Sequence, residues 1–232
     1  MNKKVILSLF ASTLAIAGEL STHTELGYSN TSGNTSTEAF AFEFKGEKGF
    51  DQHNFTLDAS ALYSQDSGVT SKNKWFLGLN YDYAFAEKWA ANYLIAYKQD
   101  KFSGYDYQFN TGPGVRYQWI KQENHDLKVG ANVLYSSDKI EFTGTNDYIS
   151  LGAGGEYEWQ IVENLKFIQD LSAKSQVDEI DNYFVFSKTA LESKITEMFS
   201  LGLGYKVDYA HIPAPTKKST DTTFLAALII NY

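Results

Sequence analysis

The chain has 232 residues, a formal net charge of −8 at pH 7 and no cysteine. The missing cysteines exclude disulfides and thiolate metal sites, and the acidic balance argues against nucleic acid, which needs a basic surface. Aromatic residues make up 16% of the chain although its mean hydropathy is negative. That combination is typical of a membrane barrel, which places aromatic side chains on its outer wall and in two interfacial girdles.

The first 17 residues have the features of a secretory signal peptide. Lys3 and Lys4 form a basic start, residues 5–17 are almost all apolar, and Ala15-Ile16-Ala17 is a cleavage site of the A-x-A kind. The apolar run is too short to cross a bilayer as a helix. The sequence therefore predicts a signal peptide at residues 1–17 and an exported mature chain at residues 18–232.

From there on, apolar and polar residues alternate with a period of two, in segments of about ten residues. The clearest segment begins at Trp75 and has Leu77, Leu79 and Tyr81 on one face and Asp82 on the other. About nine to eleven residues is the length at which a tilted strand crosses a bilayer. In chain order the predicted strands lie near residues 20–30, 38–46, 55–64, 75–85, 89–98, 105–119, 127–135, 149–159, 165–174, 183–192, 199–209 and 222–232.

These segments predict an all-β fold: a closed, antiparallel, up-and-down transmembrane β-barrel of about twelve strands. Closure is expected because an unpaired backbone group in hydrocarbon costs several kcal/mol, and only a barrel has no free edge. An even number of strands also leaves both termini on the periplasmic side. One register stays open: in residues 183–192, either Tyr183 and Val185 or Phe184 and Phe186 face outward.

The predicted connections alternate in length, as short periplasmic turns and long external loops do in such barrels. The short connections are residues 86–88, 162–164 and 195–197; the longer polar ones are residues 65–73, 99–104, 136–146, 175–182 and 211–221. Residues 47–53 and 121–126 fall on the periplasmic side although neither is especially short.

The face opposite the apolar one carries charges of both signs, and these are the candidate lumen-lining residues. They are Asp58, Asp82, Lys98, Arg116, Lys128, Glu156, Glu158, Lys166, Asp170, Lys206 and Asp208. Such groups are not stable when dry and unpaired, so either they neutralise one another in a packed interior or water fills a narrow channel between them. Eight strands give a filled interior and sixteen an open pore, so a count of twelve leaves both alternatives open.

Glycines also fall on this inward face. They are Gly112, Gly114, Gly130, Gly152, Gly154, Gly202 and Gly204. Glycine in a barrel wall either widens the lumen or makes room for a close neighbour. The sequence favours neither alternative.

Three short segments carry a resemblance to a known family. Residues 26–35, Leu-Gly-Tyr-Ser-Asn-Thr-Ser-Gly-Asn-Thr, resemble the opening of the YdiY-like family of salt-induced outer membrane proteins. Tyr81-Asp82-Tyr83 with Glu87-Lys88-Trp89 is similar to a middle segment of that family, and the loop with Pro213-Ala214-Pro215 to its end. The resemblance implies an outer-membrane barrel and assigns no activity, substrate or catalytic residue.

The function expected from this pattern is a narrow pore or small-solute channel in the bacterial outer membrane. The alternative is a non-conducting barrel with a plugged lumen that supports the envelope or receives a partner. A membrane-embedded hydrolase would need Ser and His side by side, and no strand has a His-x-Ser arrangement. We therefore expect no enzyme, no catalytic residues, no cofactor and no metal site; the four histidines are His23, His53, His125 and His211.

The expected partners follow from the same location. They are outer-membrane lipid and lipopolysaccharide around the wall, a small solute in the lumen, and the barrel-assembly machinery at the last strand, which ends on the aromatic Tyr232. No nucleic-acid partner is expected.

Overall fold

The computed structural model describes residues 19–31 and 37–232. The predicted signal peptide and part of the segment at residues 26–35 lie outside the described residues. The strands are β1 Glu19–Thr31, β2 Thr37–Phe50, β3 His53–Asp66, β4 Val69–Ala86, β5 Trp89–Asp100, β6 Tyr105–Lys121, β7 His125–Ile140, β8 Gly144–Val162, β9 Leu165–Gln176, β10 Tyr183–Lys194, β11 Phe199–Ala210 and β12 Thr220–Asn231. No helix in the described part of the chain is long and apolar enough to span a membrane.

The strands form a closed barrel in which each strand pairs antiparallel with its chain neighbours and β1 pairs with β12. The predicted fold class is therefore confirmed. Because β1 begins and β12 ends at the same end of the barrel, we call this the terminal end and the opposite one the far end. The closing pair is short: His23–Leu26 of β1 are in register with Leu228–Asn231 of β12, whereas β1 pairs with β2 over its whole length.

Apolar side chains cover the outside of the wall, as the alternation predicts. Trp75, Leu77 and Leu79 of β4 are exposed there, at 39 to 43% of their full surface. Aromatic rings stack in pairs near both ends of the strands, for example Trp75 on Tyr97 with ring centroids 5.0 Å apart. The outer wall is thus apolar in the middle and aromatic at its two rims.

The open register at residues 183–192 is decided by Lys188. Its Nζ lies 2.6 Å from Glu25 Oε1, a residue of the distant strand β1, and this contact can form only through the interior. Phe184 and Phe186 have the same parity as Lys188 and face inward, and Tyr183 and Val185 face outward. Lys174 Nζ accordingly lies 4.8 Å from the centre of the Phe184 ring.

Tyr105 is an exception to the predicted faces. By strict alternation Tyr105 would lie on the same outward face as Tyr107 and Phe109, but the register of β6 against β7 shifts between Tyr105 and Tyr107. A shift of one residue turns a side chain to the other face of the sheet. Tyr105 therefore points inward, is 7% exposed, and has its ring 6.0 Å from that of Phe184.

Several predicted loops are strand instead, so the prediction of long external loops is partly wrong. β3 continues to Asp66 and β4 already begins at Val69, so only Ser67 and Gly68 lie between them. Both of these residues have positive φ, 51° and 80°, which is the type I′ turn that joins twisted strands with two residues. The predicted loop at residues 136–146 shrinks in the same way to residues 141–143. At the terminal end, the connections predicted at residues 47–53 and 121–126 are only residues 51–52 and 122–124, so both are short, as the other connections at that end are.

The longest described connection, residues 211–219 between β11 and β12, folds across the far end; we call it the mouth strap. Its Ala214 is 4% exposed and lies against Gly104 in the turn between β5 and β6. A Cβ built on Gly104 would lie 2.5 Å from the Cβ of Ala214, so only glycine allows this approach. Since β5 and β6 lie opposite β11 and β12 in the barrel, the mouth strap spans the far mouth.

Candidate functional site: the barrel lumen

Ion pairs cross the lumen near the far end, in a group that we call the far belt. Asp208 on β11 binds Lys74 of β4 through one oxygen at 3.0 Å and Lys98 of β5 through the other at 2.8 Å. β5 and β11 are opposite strands of the ring. One carboxylate therefore ties two strands of the facing wall to β11.

A second group of ion pairs, the middle belt, crosses the lumen nearer the terminal end. Glu156 on β8 lies 3.7 Å from the Nζ of Lys45 on the opposite strand β2, and 3.8 Å from the guanidinium of Arg116 on β6. Arg116 also lies 3.4 Å from Asp82. A round barrel of twelve strands would be about 24 Å across, which is more than a lysine and a glutamate can bridge. The barrel is therefore flattened at this level.

A third group links the strands around the closing pair of the barrel. Lys188 on β10 binds Glu25 at 2.6 Å and Glu43 at 3.1 Å, and Lys206 on β11 binds Glu43 as well. These four side chains are mostly buried, and each has an opposite charge beside it. Because a buried ion is stable only when it is paired, the two lysines and two glutamates balance one another.

The terminal end of the lumen has a hydrogen-bonded chain of side chains. His23 Nδ1 lies 2.8 Å from Asn231 Oδ1, and its Nε2 lies 3.2 Å from Glu25 Oε1. Asn231 donates a hydrogen bond to Glu192, at 3.1 Å. Lys166 lies 3.5 Å from Glu192 and thereby connects β9 to this chain. The last strand is thus tied to the first through polar side chains as well as through the backbone.

A buried polar cluster fixes the wall formed by β6 to β9. Tyr148 donates a hydrogen bond to Asp138 at 2.6 Å, and Lys174 donates one to Tyr148 at 3.0 Å. Ser136 and Ser150, both fully buried, lie 2.7 Å apart through their hydroxyl oxygens. These contacts link β7, β8 and β9, and Ser136, Asp138 and Ser150 within the cluster are closed to solvent.

The predicted lumen residues divide into two sets. Those in ion pairs are Asp82, Lys98, Arg116, Glu156, Glu158, Lys166, Lys206 and Asp208. Asp58, Lys128 and Asp170 form no ion pair with any of the described residues. Each of the three is instead in register with an oppositely charged inward residue on the neighbouring strand: Asp58 with Lys45, Lys128 with Glu156, and Asp170 with Lys188.

Sequence reasoning missed other charges on the same face. They are Glu25, Glu43, Lys45, Glu47, Lys74, Asp138, Lys174, Lys188 and Glu192. Two of these charges could have been predicted from the sequence. Phe40, Phe42 and Phe44 face outward, so the alternation of β2 places Glu43 and Lys45 on the inward face. Lys188 and Glu192 could not be assigned while the register of β10 was open.

The histidines do not form the contacts that a hydrolase needs. His53, His125 and His211 each hydrogen-bond a tyrosine, at 2.8, 2.8 and 3.1 Å, and stack among the aromatic rings at the rims. His23 contacts a carboxylate and an amide, and no serine–histidine hydrogen bond occurs among the described residues. The described part of the chain also holds no group of His, Asp and Glu arranged to bind a metal ion.

Solved structures with a similar fold include outer-membrane porins and channels. The fold is similar to that of the NanC porin, with a TM-score of 0.52 and 11% identity over 92% of this chain and 98% of that one. It is similar to the COG4313 outer membrane channel from Pseudomonas putida F1, with a TM-score of 0.52 and 10% identity over 93% and 95% of the two chains. The KdgM porin gives a TM-score of 0.46 at 11% identity over 92% and 98%. At these identities the similarity establishes the fold alone.

The sequence comparison gives the family. No curated protein sequence matches the chain. Residues 24–232 match the family model described as "Protein of unknown function, DUF481", which covers all but the start of the chain. The chain belongs to the DUF481 family.

Proposed function

We propose that the protein is a narrow channel for small solutes in the bacterial outer membrane. One observation carries the proposal: charged side chains that meet across the lumen remain open to solvent. The side chains of Lys45 and Glu156 are 37% and 41% exposed although they lie 3.7 Å apart inside the barrel. Water therefore has room around the middle belt, and the ion pairs restrict passage to small solutes.

The outer wall supports the membrane location. Its middle is apolar and aromatic pairs lie near both rims, which is how a membrane barrel meets lipid and headgroups. Lipid and lipopolysaccharide would contact this wall, and the assembly machinery would bind the last strand up to Tyr232. The cleaved signal peptide and the closer kinship with YdiY-like, salt-induced proteins are part of the same proposal.

The test is the conductance of refolded residues 18–232 in a planar lipid bilayer. We expect small, discrete channels. Glu156→Gln should increase the single-channel conductance, because it removes the carboxylate that holds Lys45 and Arg116 across the lumen. Asp106→Asn is the matched control: Asp106 pairs with Lys139 at 3.1 Å near the far rim, half-exposed to solvent, and its loss should leave the conductance unchanged.

The second candidate is a non-conducting barrel that supports the envelope or receives a partner. The far belt, the middle belt and the mouth strap favour it, since together they obstruct the lumen at three levels. This alternative predicts no channel events at any salt concentration or voltage, for the native chain and for Glu156→Gln alike. Such a result would end the channel proposal.

A further inference from the structure

We infer that the middle belt makes the channel selective for small cations. This inference rests on the proposed channel function and names the class of solute that the channel passes. The observation behind it is an excess of carboxylates at a level where ion pairs bridge opposite walls of the lumen.

The excess consists of groups that the ion pairs of the middle belt do not neutralise. The cations at this level are Lys45, Arg116 and Lys128; the carboxylates are Glu47, Asp58, Asp82, Glu156 and Asp170. Asp58, Asp82 and Asp170 each lie within electrostatic range of Glu156. Glu47 is likewise within range of Arg116 and Lys128. Five negative groups therefore share three positive ones.

Asp82 adds an independent observation. The residue is 8% exposed, its Oδ2 faces Arg116 at 3.4 Å, and its Oδ1 has no hydrogen-bond partner among the described residues. A buried carboxylate oxygen is stable only with a donor, a water or a cation beside it. One oxygen of Asp82 is thus available to accept from a cation or a water beside the middle belt.

The other groups in the lumen do not offset this excess. Glu25 and Glu43 balance Lys188 and Lys206. At the far end, Lys72, Lys74 and Lys98 face Asp100, Asp208 and Asp221. At the terminal end, Lys166 stands between Glu158 and Glu192, which adds one further negative charge.

A net negative charge between low-dielectric walls concentrates cations and repels anions. The effect is largest where the path is narrowest, because water screens the charges least there. Because the charges at the far end are balanced, the sign of the selectivity follows from the middle belt, and not from the overall charge of the protein.

The experiment measures the reversal potential of the reconstituted protein in a KCl gradient. We expect a K⁺ to Cl⁻ permeability ratio above one. Asp58→Asn should lower the ratio about sevenfold and Lys128→Gln should raise it by a similar factor, because one unit charge about 7 Å from the ion path in water changes the energies of K⁺ and Cl⁻ by about RT each and in opposite directions. These two residues form no ion pair with the described residues, so neither substitution breaks a cross-lumen contact.

Asp106→Asn at the far rim is the control and should leave the ratio unchanged. Only variants that show the β-sheet circular dichroism of the native barrel are reconstituted. A ratio below one, or a ratio that neither substitution moves, would overturn the selectivity while leaving the channel in place. Absence of channels in the native protein would overturn both.

Discussion

Asp208 and Glu156 show how single residues determine the shape of this lumen. Each carboxylate binds two cations from other strands, and each group spans opposite walls. A substitution at either position leaves two positive charges facing one carboxamide. These two acidic side chains therefore bridge opposite walls of the lumen, which is why Glu156→Gln is the informative variant for the proposed conductance.

The inward glycines, at the same scale, serve different purposes. A Cβ on Gly112 would lie 2.1 Å from the carbonyl oxygen of Val133, and one on Gly114 would lie 2.4 Å from that of Ala131. The nearest atom to a Cβ on Gly204 is 4.0 Å away. Gly112 and Gly114 therefore permit the close approach of β6 and β7, whereas Gly204 leaves open space.

This difference predicts opposite results for two alanine substitutions. Gly112→Ala should destabilise the barrel by about 1–3 kcal/mol, because the backbone of β7 must move. Gly204→Ala is the matched control and should change stability by less than about 1 kcal/mol, since its Cβ has room. Urea unfolding in lipid vesicles, followed by tryptophan fluorescence, measures the stability of both variants. If the two substitutions destabilise the barrel equally, crowding does not explain why position 112 is a glycine.

Among the elements, the mouth strap has the clearest functional consequence. It crosses the far mouth and places Ala214 on Gly104 of the opposite turn. Lys217 donates its backbone N–H to the carbonyl of Ala214 at 3.0 Å, so the strap has a turn of its own at the contact. In the proposed channel, the strap would obstruct the path from the far side before a solute reaches either belt.

Shortening the mouth strap should therefore open the far entrance. Replacement of residues 212–216 by a short Gly-Ser turn, which keeps Lys217 and Lys218, is expected to increase the single-channel conductance and to leave the K⁺ to Cl⁻ ratio unchanged, because no charge is removed and the strap lies outside the middle belt. Planar-bilayer recordings give both quantities. An unchanged conductance would mean that the belts alone limit the current.

For the whole molecule, the aromatic rims define how the barrel would lie in a membrane. The four tryptophans, Trp75, Trp89, Trp119 and Trp159, all face outward and are 38 to 62% exposed. Trp75 lies near the far rim and the other three near the terminal rim. Tryptophan prefers the headgroup region, so the distance between these rims should match the thickness of the bilayer.

Fluorescence quenching by brominated lipids tests this arrangement. Bromine near the headgroups should quench the tryptophan emission more strongly than bromine in the middle of the acyl chains, because all four rings lie at the rims. A phenylalanine substitution at Trp75 should remove only the far-rim contribution and keep the same depth preference. Emission that no brominated lipid quenches would contradict the membrane location of the wall.

Much of this arrangement follows from the sequence because strand periodicity is local. Each side chain in a strand points opposite to its neighbours, so the apolar positions of β4, Trp75, Leu77 and Leu79, place Asp82 on the other face without knowledge of any partner strand. The number of such segments, and their length near ten residues, then determined a closed barrel of twelve strands, since no other sheet satisfies its backbone in lipid.

The tertiary structure decided what depends on pairing between distant strands. The inward turn of Tyr105 needs the shift of β6 against β7, and the register of β10 needs the contact between Lys188 and Glu25. Which charges meet across the lumen depends on strand tilt and on how far the barrel is flattened. These are properties of the closed ring, to which every strand contributes, and no single segment of sequence contains them.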